Sequence, residues 1–333
     1  MTEQVIRQRF HGLYLSRRCE DITKLSHKLL GLHCWFHRNV VFSSLIRGAD
    51  ITGWKTRLTK TWLYRGTLHG VVFEDLSKLL SLHIGEAWIS RYYSERMIND
   101  ISDEVIRCME DGIYSRAQMR KIFSDYYEHD VISTIFSPWG GIFVHLAGLG
   151  KVAFRDMTSR DFDLIDAQPN YTKEEILPEI LGRYFKSYGP ATIEDALYFL
   201  GFRKEENKKI INNISLDKFE KTELNRRIYY HNEETRTMND IPEYNLLSGF
   251  DPFIVSYTER SAVLPAEYKN KVILKSGICL PTILVNGRVA GIWNIKKGEP
   301  TVEFFEQQPV RVTKGILEMV DNIRLRIAVQ SGI

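Results

Sequence analysis

His33, Cys34 and His37 stand close together near the start of the chain and spell H-C-x-x-H. On a helix, residues four apart share a face, so His33 and His37 have the spacing of paired metal ligands. A metal site needs further ligands, however, and none clusters nearby, while Gly31 interrupts the helix that would present the pair. No metal or other cofactor is expected. What remains is an imidazole, His33, that can orient or deprotonate water near neutral pH.

The second set of chemically suggestive residues is basic. Across 333 residues the formal charge is only +3, but it is unevenly placed: residues 1–100 carry 15 Lys/Arg against 9 Asp/Glu, 101–200 carry 10 against 16, and 201–333 carry 20 against 17. Within the first block Arg47, Lys55, Arg57, Lys60 and Arg65 face a single acid, Asp50, and alternate with Trp54, Trp62 and Tyr64. Cations interleaved with flat side chains suit a phosphate backbone, and all five are candidate phosphate contacts. The same stretch also reads as a solvated surface over two core tryptophans. Arg65 and His69 flank a hairpin tip, where positive groups reach a phosphate or a minor groove, and Arg288 lies beside a second turn. Asp251, in Gly-Phe-Asp-Pro, reads as a turn aspartate bonding to nearby backbone. Tyr184, Tyr188 and Trp293 read as core.

These groups must be positioned by a chain long enough for two or three structural units. Residues 101–166 show a pattern that recurs. An amphipathic helix ends at Asp111-Gly112, Ser115 to Gln118 form a capping box that opens a second helix, and a third is expected over 133–149. Two short strands, 152–155 and 162–165, follow as a hairpin. Three helices and a hairpin make a winged helix. The order returns over 172–231, with capping boxes at Thr172 to Glu175 and Thr192 to Asp195 around a break at Gly189-Pro190, and more loosely over 1–73, where helices over 5–13, 22–30 and 38–46 precede a hairpin over 61–71. Beyond Leu246 the texture changes to strands, including a hairpin turning at Asn286-Gly287, and then to a final helix over 314–329.

The expected fold is therefore α+β: three tandem winged-helix units followed by a small C-terminal β-barrel. The expected intervals are 1–100 for a winged helix with a basic hairpin, 101–170 and 171–245 for two more, and 246–333 for the barrel and last helix. Cys19, Cys34, Cys108 and Cys279 form no C-x-x-C pair, and no signal peptide or membrane span is readable. A cytoplasmic monomer is expected.

Five strings in order resemble the AlkZ/YcaQ-like DNA glycosylase family. They are Leu29-Leu-Gly-Leu32 followed by Arg38-Asn39, Lys60 to His69, Tyr188-Gly-Pro-Ala-Thr192, Gly249-Phe-Asp-Pro-Phe253, and Leu280 to Trp293. The resemblance spans nearly the whole chain. It implies a tandem winged-helix protein that binds double-stranded DNA, with Arg38 among the contacts, and that excises alkylated or crosslinked bases by hydrolysing the N-glycosidic bond. It also implies a catalytic motif of glutamine, a hydrophobic residue, then glutamine or aspartate. The residues that align with it are His33, Cys34 and Trp35. His33 can replace a water-orienting glutamine, and Trp35 can stack on sugar or base but cannot accept a hydrogen bond from water. The alternative is a DNA-binding regulator or lesion sensor that keeps the scaffold without the chemistry.

Overall fold

A computed structural model describes residues 3–82, 88–232 and 240–330. The protein is a mixed helix and strand fold that divides into two compact units, one formed by Met1–Trp54 with Pro178–Ile333 and the other by Lys55–Leu177. This division cuts across the sequence intervals. The first three helices, Glu3–Gly12, Ile22–Lys28 and His37–Ile46, belong with the end of the chain, while the hairpin expected to complete their winged helix belongs with the middle.

In the first unit, long-range polar contacts tie the chain's start to its last third. Arg9 is buried, donates from Nε to the Pro190 carbonyl at 3.0 Å, and lies 3.6 Å over the Tyr257 ring, with Nη2 3.8 Å from Asp195. Asp195 is held by its own helix: Thr192 and Asp195 exchange both bonds of the expected capping box, each at 3.1 Å. Tyr184 and Tyr188 stack at 4.6 Å inside the core, and the Tyr188 hydroxyl donates to the Leu29 carbonyl at 2.6 Å.

The last strands form an antiparallel sheet in the order Glu299–Phe304, Arg288–Lys296, Thr282–Val285, Tyr244–Leu247. The turn at Asn286-Gly287 has positive φ at both residues, as a two-residue hairpin of this hand requires. Among the described residues this sheet stays open and no closed barrel forms, which corrects the expectation. Four strands are too few to curl shut, and the helix Val310–Gln330, through Val312, Ile316, Val320 and Ile323, covers the apolar area that closure would bury.

In the second unit the two hairpins read as separate wings join in one sheet. Thr59–Trp62 pairs with Leu68–Val71 on one side and, through Lys60 and Phe154, with Val152–Phe154 on the other, which pairs in turn with Phe162–Leu164. Trp62, Phe143, Phe154 and Phe162 pack beneath it, Phe143 and Phe162 face to face at 4.0 Å. Two sequence expectations fail here. The Ser115 side chain caps nothing, and the helix opens on the Met119 to Ser115 backbone bond. The helix expected over 133–149 is two, His129–Ile135 and Ile142–Gly148, because Ser137-Pro-Trp-Gly-Gly141 turns the chain between them. Proline removes a helical donor, and Gly140 and Gly141 both take positive φ. Among the described residues no helix is long and apolar enough to cross a membrane.

Candidate functional site

His33 is not on a helix. The helix Ile22–Lys28, capped by Asp21, ends at Leu29, and positive φ at Leu30 and Gly31 turns the chain into the short strand Leu32–His33. The next helix starts at His37, so His33 and His37 share no helical face, and no metal-binding cluster is found among the described residues. His37 is exposed, its ring 6.3 Å from that of Trp54.

What holds His33 is an aromatic platform. Its half-buried ring lies flat on Phe250, with centroids 4.1 Å apart and planes 9° from parallel. Phe250 sits at φ 55° in the turn leading into the short helix Pro252–Val255, and its amide donates to the Cys279 carbonyl at 3.2 Å. The turn is anchored by Asp251, which accepts from Phe253 N, from the Ser248 amide and hydroxyl, and from both terminal nitrogens of Arg47 at 2.9 and 3.0 Å. Asn39, in the first turn of the following helix, presses on the same loop: a Cβ at Gly249 would lie 2.8 Å from its Oδ1 and 3.1 Å from the Cys279 carbonyl oxygen, so a larger residue there would displace the Asn39 side chain. Burial pushes the Cys279 thiol up to about 12, and this cysteine is no nucleophile at neutral pH. Cys34 is buried, and Trp35 is half-buried beside His33 in sequence.

Asp251 thus does the work of a turn aspartate, as read from the sequence, but it also has a buried cation. That partner corrects the assignment of Arg47. Arg47 is 0% exposed, with Nε on the Leu13 carbonyl and Nη1 on Ser43, and it has no surface to offer a phosphate.

Two more candidate contacts are corrected in the second unit. Lys60 is 9% exposed, with Nζ donating to the Ser159 carbonyl at 3.1 Å and lying 4.2 Å from the Phe154 ring centroid. His69 is buried edge-on to Tyr64, and burial drives its pKa down to about 4, against a partial upward pull from the Thr67 carbonyl. It is neutral at physiological pH and cannot serve as a phosphate-binding cation. Trp54, Trp62 and Tyr64 are buried as well, so the aromatic half of the basic stretch is core. Exposed charge remains at Arg65, on the hairpin tip, and at Arg288, while Lys55, Arg57 and Arg38 are half-buried, Arg38 lying over the Phe36 ring at 5.3 Å.

His69 has a consequence for stability. Its folded pKa, about 4, lies below the ordinary 6.5, so below pH 6.5 the unfolded chain takes up a proton that the folded chain refuses. The stabilisation is complete above pH 6.5 and is lost as pH falls toward 4, amounting to about 2 kcal/mol by pH 5. A thermal-melt series in which His69→Gln has a flatter slope than the parent between pH 6.5 and 5 is the expected result. Parallel slopes would show that His69 protonates freely in the folded state.

Sequence reasoning missed Phe250 as the platform for His33 and Arg47 as the counter-charge of Asp251. No local signal marks either, since each pair joins chain segments far apart, Arg47 and Asp251 by 204 residues.

Comparison with known proteins places these features in context. The chain matches the family described as "DNA glycosylase AlkZ-like" over residues 55–316. It is 25% identical over 285 residues to an interstrand DNA cross-link repair glycosylase of Streptomyces sahachiroi, an alignment covering 77% of this chain and 76% of that one. Among solved structures, the Streptomyces sahachiroi DNA glycosylase AlkZ is similar with a TM-score of 0.77 at 22% identity, over 97% of this chain and 96% of the other.

Proposed function

The chain belongs to the AlkZ-like DNA glycosylase family, and on that premise we propose that it is a monofunctional DNA glycosylase acting on alkylated or crosslinked bases in double-stranded DNA, with His33 as the water-positioning residue. The observation that carries this reading is the flat stack of His33 on Phe250, itself fixed by the Arg47–Asp251 pair. An imidazole laid flat on a fixed ring keeps its edge nitrogens in one plane, which is what orienting a water toward a sugar carbon requires. A base alkylated at a ring nitrogen is already cationic. It departs as a neutral molecule when the C1′–N bond breaks, without a general acid, and the water whose oxygen bonds to C1′ gives up one proton, to the His33 imidazole or to solvent. Trp35 contacts the lesion nucleotide in this reading.

The helix-helix-helix-hairpin runs are read as tandem winged-helix units, the first two hairpins joined in one sheet and the third, Glu220–Leu224 with Arg227–His231, standing as its own. Lys55, Arg57, Arg65, Arg38 and Arg288 are the cations assigned to DNA, and the protein is taken to work as a cytoplasmic monomer. Arg65→Ala is expected to lower the slope of log affinity against log salt by about 0.9, the share of one phosphate contact. Lys60→Met leaves that slope unchanged, because Nζ already serves the Ser159 carbonyl. An unchanged slope for Arg65→Ala would remove the hairpin tip from the interface.

The test of the activity is a single-turnover assay, with protein in excess over a duplex carrying one N7-alkylguanine, scoring abasic sites by strand cleavage in mild base. Protein-dependent abasic sites are expected. A second reading, DNA binding without base excision, draws on Trp35, which stands where the resembled motif has a polar side chain. Tight binding to the same duplex with no abasic product, for both alkylated and crosslinked substrates, would establish that reading instead.

A further inference from the structure

The basic hairpin has an exposed cation at its tip but no exposed aromatic of its own, since Trp62 and Tyr64 are turned into the core. An exposed aromatic is carried by a turn of the same unit that packs against the hairpin strand. Trp139 is 69% exposed, the indole projecting from the turn between the helices His129–Ile135 and Ile142–Gly148. The turn abuts Trp62, the strand residue nearest the hairpin tip: a Cβ on Gly140 would lie 3.3 Å from the Trp62 ring and 2.1 Å from Val144.

The backbone under this indole is unusually constrained. Ser137 to Gly140 is a β-turn closed by the Gly140 to Ser137 bond at 3.0 Å, with Pro138 at its second position and Trp139 at its third. The Ser137 hydroxyl accepts from Trp139 N at 3.3 Å. Arg116, which lies near the Phe143 and Phe162 rings, donates to the Ser137 carbonyl at 3.1 Å, and Arg120 reaches the Phe136 carbonyl at 3.5 Å. Gly140 and Gly141 take φ of 119° and 54°, and a Cβ on Gly141 would fall 1.8 Å from the Ile135 carbonyl oxygen, so neither can be another residue without a shift. A single exposed aromatic on a surface is ordinary. One held out on a proline turn with two obligatory glycines and two arginine-bound carbonyls is preorganised, and a rigid flat ring is the arrangement that stacks on a nucleobase at little entropic cost.

We infer that Trp139 is a base-stacking residue, which inserts its indole against a base at an unstacked or weakened step in duplex DNA while Arg65 on the neighbouring hairpin tip engages the backbone. The inference rests on the DNA-acting reading above and adds to it the residue that senses loss of stacking, the property shared by damaged pairs.

The test uses the full chain and its Trp139→Ala and Trp139→Phe variants. Affinity is measured for a fully paired duplex and for one with a tetrahydrofuran abasic site next to 2-aminopurine, whose fluorescence reports stacking. The parent is expected to prefer the abasic duplex and to quench the 2-aminopurine. Trp139→Ala should bind that duplex about tenfold or more weakly without quenching, and Trp139→Phe should retain most of both effects. Matching thermal melts would confirm that the exposed position was changed without loss of fold. Unaltered preference and quenching in Trp139→Ala would overturn the inference, as would an equal loss on both duplexes that phenylalanine does not restore. Failure of the parent to bind either duplex would instead remove the DNA reading itself, and this inference with it.

Discussion

Arg47→Ala is expected to destabilise the unit formed by the two ends of the chain by about 3–5 kcal/mol, the cost of breaking a fully buried ion pair from one side. Both partners are 0% exposed, and the guanidinium supplies two of the bonds that satisfy the Asp251 carboxylate. Removing it leaves a negative charge in the interior with only the Ser248 and Phe253 donors. It also frees the Leu13 carbonyl, which Arg47 ties to the end of the helix His37–Ile46, and the Ser43 carbonyl within that helix. Arg47→Lys should recover little, because an ammonium cannot span both carboxylate oxygens. Arg47→Met combined with Asp251→Asn should recover more, since no unpaired charge remains. Urea unfolding monitored by circular dichroism reads these differences as midpoint shifts. The salt dependence of DNA binding by the folded variant should match the parent's. A variant of parental stability whose salt slope has fallen would return Arg47 to the DNA surface.

His33→Ala is expected to slow base excision by about 10²- to 10⁴-fold under single-turnover conditions, the range for a positioned group that handles a reacting water. Binding of the same duplex should change little, because a water-positioning group contributes to the reaction step and not to the grip on the backbone. His33→Gln separates two roles. If His33 orients water, a carboxamide does the same and most of the rate survives; if it removes the proton, the glutamine variant is as slow as alanine. Phe250→Ala leaves the imidazole in place but takes away the surface it lies on, and should cost part of the rate without abolishing it. Full activity in His33→Ala would end the assignment and move the search for the water-positioning group elsewhere in the chain.

The cores of the two units explain why the charge pattern misled at Arg47, Lys60 and His69, which are buried, while Arg65 stays exposed. Sequence spacing records that cations alternate with aromatics between residues 47 and 65, but not which positions packing covers: Arg47 closes a buried helix end, and Lys60, Thr61 and Trp62 are buried in succession, so both faces of their strand are covered. Lys60 is the residue that pairs with Phe154 in the adjoining strand, so the junction of the two hairpins buries it. Arg65, in the turn beyond the strand, lies outside that junction. The barrel expectation failed for a related reason. Strand-forming runs and the Asn-Gly turn were readable, but whether a sheet closes depends on how many strands join it and on what packs against its face.

Taken by itself, the sequence determined much of what depends on residues within a few positions of one another, the Ser115 cap and the helix over 133–149 being the exceptions. The capping boxes at Thr172 and Thr192, the Asn286-Gly287 hairpin, the turn role of Asp251 and most helix limits all follow from local hydrogen bonding and side-chain period, and each formed as read. The ordered strings that resemble DNA glycosylases also needed no coordinates. Only the tertiary structure decided that Arg47 meets Asp251, that His33 lies on Phe250, that two hairpins form one sheet and that Trp139 stands on a fixed turn beside the hairpin. A buried charge is tolerated only with its partner, and a ring is oriented only by what it packs against. Those partners are brought in by chain closure over distances at which local chemistry leaves no mark.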